Sequence, residues 1–233
     1  MLRRWFRYLI YPLTAFGVLF CAHWGSRMVS TFSESAPMAE RTRIVIDAGH
    51  GGVDGGAISC TGIPESRYNL EIALRLEDLM QLLGYDTAMM RREDISIYTK
   101  GETIAQKKIS DLKERVRIAN ESENTLLLSI HQNSFPDSRY SGAQVFYGAS
   151  GNSEALANQL QDAFCKAQAP ENHRKAKKSS GVYLMEHIRC TGVLIECGFL
   201  STPAEEAKLR DPAYQKKLCG IIASGVSRFL SNT

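Results

Sequence analysis

The stretch "RIVIDAGHGG", Arg43–Gly52, decides how the rest of the chain is read. Ile44, Val45 and Ile46 make a short, continuous, β-branched apolar run, which predicts a fully buried strand. Asp47 closes the run. Gly49, Gly51 and Gly52 then supply a turn whose backbone can take conformations that side chains resist. His50 sits inside that turn, at the end of a rigid strand and released from core packing. Two later segments repeat the pattern: "LLLSI" runs into His131, and "GVLI" runs into Glu196. In open α/β sheets, ligands bind beyond the carboxyl ends of parallel strands. Two imidazoles and a carboxylate delivered to one rim therefore predict a site. Three unrelated polar residues at strand ends are the plainer alternative.

Working outward, strands and helices alternate from Arg41 onward. Residues 66–83 place Leu70, Ala73, Leu74, Leu76, Leu79, Leu82 and Leu83 at helical spacing, and Gly84 stops the helix. "YDTAMMRR" (85–92) reads as a second strand, followed by a connecting segment over 93–109. Asp111 is a cap for a helix running to about Asn120. "TLLLSIH" and "GAQVFYG" are the third and fourth strands, and Ser153 caps a helix over 154–168. "SGVYLM" (180–185) and "TGVLIECGF" (191–199) read as two more strands, before a final helix over 214–230. This alternation predicts a single α/β domain. Its core is a twisted, mostly parallel sheet of about six strands with helices on both faces, and the site lies at the carboxyl ends of the strands. No internal repeat and no separate binding module is visible.

The chain has 233 residues and a net charge of +3, a size and balance that suit one domain with a real core. No nucleic-acid motif occurs, and the mild basic excess suits weak attraction to an anionic envelope polymer. Residues 1–40 differ from the rest: Arg3, Arg4 and Arg7 precede an apolar run from Tyr8 to about Trp24, and Ser-rich sequence follows. A positive start before an apolar segment predicts export. Pro12 interrupts a run already short for a membrane span, so a cleaved signal and a membrane anchor both stand. Residues 41–233 form the catalytic domain on this reading. The six cysteines show no C-x-x-C pair, and Cys197 and Cys219, within apolar runs, read as buried free thiols.

Two histidines and one carboxylate make a hydrolytic zinc set that leaves a coordination position for water. Glu65 and Glu196 are the two candidate carboxylates. A glutamate at a helix start is ordinarily explained by the helix dipole, so Glu65 alone says little. Glu196 follows Val193, Leu194 and Ile195, and a carboxylate in such company costs free energy unless paired, protonated or functional. No G-x-S-x-G motif occurs, which argues against an acyl-enzyme route. A zinc peptidase, a sugar deacetylase and a non-catalytic binding or activator protein are the rival readings. The basic run 173–178, with His173, reads as a solvated loop, with anionic glycan binding as the lesser option.

"VIDAGHGG", "DGGA", Glu65 before "YNLEIALRL", "DLKERVRIAN", "SIHQN", "GAQVFY" and "LIECGFLS" together resemble the zinc-dependent N-acetylmuramoyl-L-alanine amidases of the amidase-3 class. The resemblance runs from Arg43 to about Leu230. "KISDLKERV", "HQNSFPDSRYSGAQVFY", "NHRKAKKSSGVYL" and "ECGFLS" look like the germination-specific spore-cortex subgroup. The resemblance implies one zinc ion held by His50, Glu65 and His131, with Glu196 as the catalytic glutamate. It further implies Asn133 as a substrate contact, with a structural turn role equally open, and Asp47 as a residue that orients a ligand histidine. Arg115 reads as a structural ion-pair residue. The implied activity is hydrolysis of the amide between the lactyl group of N-acetylmuramic acid and L-alanine, outside the cytoplasmic membrane. Spore cortex is the implied site of action, general vegetative wall turnover the alternative, and an activating protein a possible partner.

Overall fold

A computed structural model describes residues 42–122, 124–137, 139–168 and 174–232. The export segment read over 1–40 and His173 lie outside the described residues. The opening apolar run is the centre of β1 (Arg43–Ala48), in which every residue after Arg43 is buried. A strand buried on both faces needs neighbours at both edges. β1 has β2 (Thr87–Met89) on one side and β3 (Thr125–Asn133) on the other, both parallel to it. β3 pairs in parallel with β6 (Thr191–Phe199), which pairs antiparallel with β4 (Gln144–Tyr147). β4 in turn pairs in parallel with the two-residue β5 (Lys177–Lys178), giving a six-stranded sheet in the order β2-β1-β3-β6-β4-β5.

The period-two alternation of the strands feeds two cores. Ile44, Ile46, Leu128 and Ile130 point to one face. There they pack with Ile72 and Leu76 of α1 (Glu65–Leu82), Phe164 of α3 (Ser153–Gln168) and Ile222 of α6 (Pro212–Ser231). Val45, Leu127 and Leu194 point to the other face, against Ala119 of α2 (Ile104–Ala119) and Leu184 and Met185 of α4 (Tyr183–His187). Each fully buried Leu or Ile contributes about 1.5–3 kcal/mol of transfer free energy. A short α5 (Pro203–Leu209), started by its proline, follows β6. Cys190, Cys197 and Cys219 are buried free thiols. No helix among the described residues is long and apolar enough to cross a membrane.

The structure corrects two local expectations. Asp111 is not a cap. Its carboxylate sits inside α2, accepting from the Ile97 N–H at 2.6 Å and from Arg115 at 2.6 Å. The cap is Thr103, whose side chain and that of Gln106 satisfy each other's backbone N–H groups. "SGVYLM" is not a strand, and its second half begins α4. Six residues are too few for period to distinguish strand from helix. Glu186 accepts from the Gly181 N–H at 2.6 Å, and Leu184 and Met185 fill the second core. The sixth strand is β5 instead.

Candidate metal centre

The turn after β1 carries His50 with φ 59, the one non-glycine residue with positive φ among the described residues. Such a conformation costs about 1–3 kcal/mol and persists only where the surroundings impose it. Here two buried arginines impose it. Arg115 of α2 donates to the carbonyls of Ala48 (3.1 Å) and His50 (2.8 Å). Arg91 donates to the carbonyls of Ala48 (2.7 Å) and Gly49 (3.0 Å). Arg115 is itself paired with Asp47 and Asp111. Gly49 lies against the His131 ring so closely that a Cβ there would fall 2.1 Å from its Nε2.

α1 starts at Glu65, and the carboxylate turns into the sheet's rim. Glu65 Oε2 lies 3.3 Å from His50 Nε2, and Oε1 lies 2.9 Å from His131 Nδ1. One ligand atom from each of these three residues lies within 4.8 Å of the others. The Ala57 N–H, the Asn69 amide and the Gln132 N–H also donate to the Glu65 carboxylate. Burial opposes ionisation of Glu65, but the bonds from His131 and then His50 outweigh it and hold the carboxyl well below its usual range. Burial likewise disfavours protonated His50, yet Glu65 and Asp54 together raise its pKa. Asp54 Oδ2 lies 3.0 Å from His50 Nδ1, the nitrogen on the far side of the ring from Glu65. An ionised carboxylate between two imidazoles, one of them backed by a second carboxylate, is a donor set that can hold a metal ion.

Glu196 stands directly beside His131, its register partner across β3 and β6. Its Oε2 is buried and has no hydrogen-bond partner among the described residues. Burial pushes its pKa up to about 7; His131 opposes this and the charge on Glu65 adds to it. Asn133 follows on β3, its carbonyl accepting from the Leu200 N–H, and it lines a cavity beyond β3 and β6. Asp47, expected to orient a ligand histidine, bonds instead to Arg115 and to Ser129 Oγ at 2.6 Å. Asp54 takes the orienting place. Nothing in the chain's periodicity marks it, since it lies in the glycine-rich loop four residues after His50. His187, exposed at the end of α4, stacks on Tyr183 and takes no part.

Residues 44–228 match the Amidase_3 family, described as N-acetylmuramoyl-L-alanine amidase. The germination-specific N-acetylmuramoyl-L-alanine amidase of Bacillus subtilis (strain 168) is 38% identical over 190 residues, 81% of this chain and 79% of that protein. The CwlD amidase of Clostridioides difficile, solved in complex with the GerS lipoprotein, superposes with a TM-score of 0.79 at 35% identity, covering 83% of this chain and 100% of that one. An N-acetylmuramoyl-L-alanine amidase from Clostridium difficile 630 superposes with a TM-score of 0.71 at 28% identity, covering 82% and 97%. The chain belongs to the N-acetylmuramoyl-L-alanine amidase family.

Proposed function

We propose that this enzyme hydrolyses the amide between the lactyl group of N-acetylmuramic acid and L-alanine in spore-cortex peptidoglycan, with zinc at His50, Glu65 and His131 and Glu196 as acid–base. When bound, zinc supplies Lewis acidity at that point. The observation that carries the reading is the unpartnered, buried Glu196 Oε2 beside a ligand histidine. A carboxyl held near neutrality can both accept and release a proton. As a carboxylate, Glu196 takes a proton from the attacking water. As an acid, it returns that proton to the departing amine, so amide and water become a lactyl carboxylate and a free L-alanine amine. Asp54 holds the His50 ring in one orientation, and the Arg91–Arg115 clamp holds its backbone.

The cortex assignment is supported by likeness to the germination-specific relative. Peptide removal there prepares muramic acid for δ-lactam formation. The substrate lies outside the cytoplasmic membrane, so we read residues 1–40 as the export signal or anchor that delivers residues 41–233. The relative solved in complex with a lipoprotein supports a protein partner for this chain, which we read as an activator. Metal analysis beside a wall-hydrolysis assay tests the centre. Glu65→Ala is expected to lose both zinc and activity. Glu196→Gln is expected to keep near-stoichiometric zinc and lose about 10²–10⁴-fold in rate. A zinc-free Glu196→Gln with metal retained in Glu65→Ala reverses the roles, and full activity in both removes them from the mechanism.

A further inference from the structure

Asn69 stands in "YNLEIALRL", among the residues that α1 turns to the core, and it is completely buried. Asparagine is a poor former of helix interiors, and a buried amide costs free energy unless its polar atoms are answered. Here both ends of the amide are answered. Nδ2 donates to the Gly49 carbonyl at 3.1 Å and to Glu65 Oε1 at 3.1 Å. Oδ1 accepts from Gln132 Nε2 at 3.4 Å. Two acceptors on one side and a donor on the other fix which end of the amide is nitrogen. Each partner belongs to a different segment that carries a proposed metal ligand. Gly49 precedes His50 in the turn after β1, Glu65 opens α1, and Gln132 follows His131 on β3. The register of β3 against β6 shifts between His131 and Asn133. Irregularities of this kind re-aim residues beside functional sites. At this shift the Gln132 N–H donates to Glu65 Oε1, at 3.2 Å, while its side chain reaches Asn69.

We propose that Asn69 is a positioning residue, which ties these three segments together so that His50, Glu65 and His131 face one point before a metal ion arrives. The proposal rests on the metal reading of those three residues and adds what assembles them. Glu65 itself touches both imidazoles, at 3.3 and 2.9 Å, but these are the contacts that a shared metal ion replaces. They cannot hold the ligands in place once it binds. Asn69 uses no atom of either ring, so its bonds persist in both states. Its removal also orphans neither acceptor. The Gly49 carbonyl keeps Arg91 at 3.0 Å, and Glu65 Oε1 keeps the Gln132 N–H. The fold therefore survives the loss of Asn69, and what disappears is the link between the segments. Ligand supports of this kind set the orientation of the donor atoms and so the affinity of the site.

The full-length chain, stripped of metal, is titrated with zinc against a competing chelator, and separately with cobalt, whose visible spectrum reports the arrangement of its ligands. Asn69→Leu keeps the forked shape of the side chain, leaves no room for a bridging water and removes every hydrogen bond. It is expected to melt cooperatively without metal, to bind zinc roughly 10–100-fold more weakly than the wild type and to give an altered cobalt spectrum. Asn69→Ala takes its place if the leucine variant does not fold. Ile72→Val is the control, a core truncation about one turn further along the same helix. It should lower the melt and leave both metal readouts unchanged. Wild-type zinc affinity and cobalt spectrum in the Asn69 variant that folds overturn the proposal. So does an equal loss of affinity in Ile72→Val, since any loosening of α1 would then suffice. Failure of both Asn69 variants to melt cooperatively makes Asn69 a residue of the fold and overturns the positioning role. A wild type that takes up no zinc overturns the metal reading of the centre and this proposal with it, so the two failures are told apart.

Discussion

Replacing Gly49 with alanine adds one methyl group at the point where the turn after β1 meets His131, a proposed metal ligand. The new Cβ would lie 2.1 Å from Nε2, 2.3 Å from Cε1 and 2.7 Å from Cδ2 of His131. Non-bonded heavy atoms of this kind sit at about 3.5 Å, so the gap must open by more than about 1 Å. Gly49 is not among the glycines with positive φ, so alanine brings no backbone strain of its own. Nor can the turn easily retreat. The Gly49 N–H donates to the Ile130 carbonyl at 3.0 Å, and its own carbonyl accepts from Arg91 and Asn69. The imidazole is therefore the part that gives way, and with it the 2.9 Å contact between His131 and Glu65.

Overpacking of this sort costs about 1–3 kcal/mol, which a domain of this size can absorb. A metal site cannot absorb it, because ligand positions must hold to within roughly 0.2 Å. Gly49→Ala is thus expected to fold, melt a few degrees lower, and bind zinc far more weakly than the wild type. Gly220→Ala is the control: its Cβ meets nothing within 4 Å, and it lies inside α6. It should gain about 0.5–1 kcal/mol and keep its metal. Zinc content after dialysis against a chelator, beside a thermal melt, reads both effects. Wild-type zinc affinity in a folded Gly49→Ala protein would refute the placement of His131 as a ligand.

Two further substitutions test the supports of the centre. Asp54→Asn keeps the shape beside His50 but removes the charge, and should cost roughly 10–100-fold in zinc affinity with an unchanged melt of the metal-free protein; unchanged zinc affinity would remove Asp54 from the centre. Asp47 is fully buried, and although burial raises its pKa, Arg115, His131 and Ser129 bring it below the ordinary 3.8. A depressed carboxyl stabilises the fold above the unfolded-state value and loses that contribution as pH falls through the folded one. Asp47→Asn should therefore lose about 3 kcal/mol at pH 7 and show a flatter decline in stability below about pH 4 than the wild type. Superimposable stability curves for the two proteins would show that the Arg115 pair contributes nothing.

What the sequence discloses and what it hides follow from the same physics. β1, β3 and β6 are legible because a strand buried on both faces must be apolar at consecutive positions, as at Ile44–Ile46 and Leu126–Leu128. β5 is not legible: two exposed lysines are held there by backbone pairing to Phe146 and Tyr147, which leaves no side-chain pattern. The start of α2 read at Asp111 misses the true cap, Thr103 with Gln106, because an aspartate before an apolar run suits a cap as well as the Arg115 pair it serves here. The arginine clamp on the turn after β1 is likewise silent, because side chains bonding to carbonyls far along the chain impose no spacing.

The two glutamates make the deepest case. As residue types, Glu65 and Glu196 can each bind a metal or move a proton, and before the fold is known only the family resemblance divides the two roles between them. Their surroundings are opposite. Glu65 accepts from two backbone N–H groups and an amide and faces both imidazoles, so its charge is fixed and its geometry rigid. Glu196 is sunk beside His131 with one oxygen unmatched, so neither its charge nor its proton is committed. A ligand has to stay ionised and still, whereas an acid–base has to change protonation state within each turnover. Burial with every lone pair answered suits the first task and burial with one left open suits the second, a difference that only the folded chain contains.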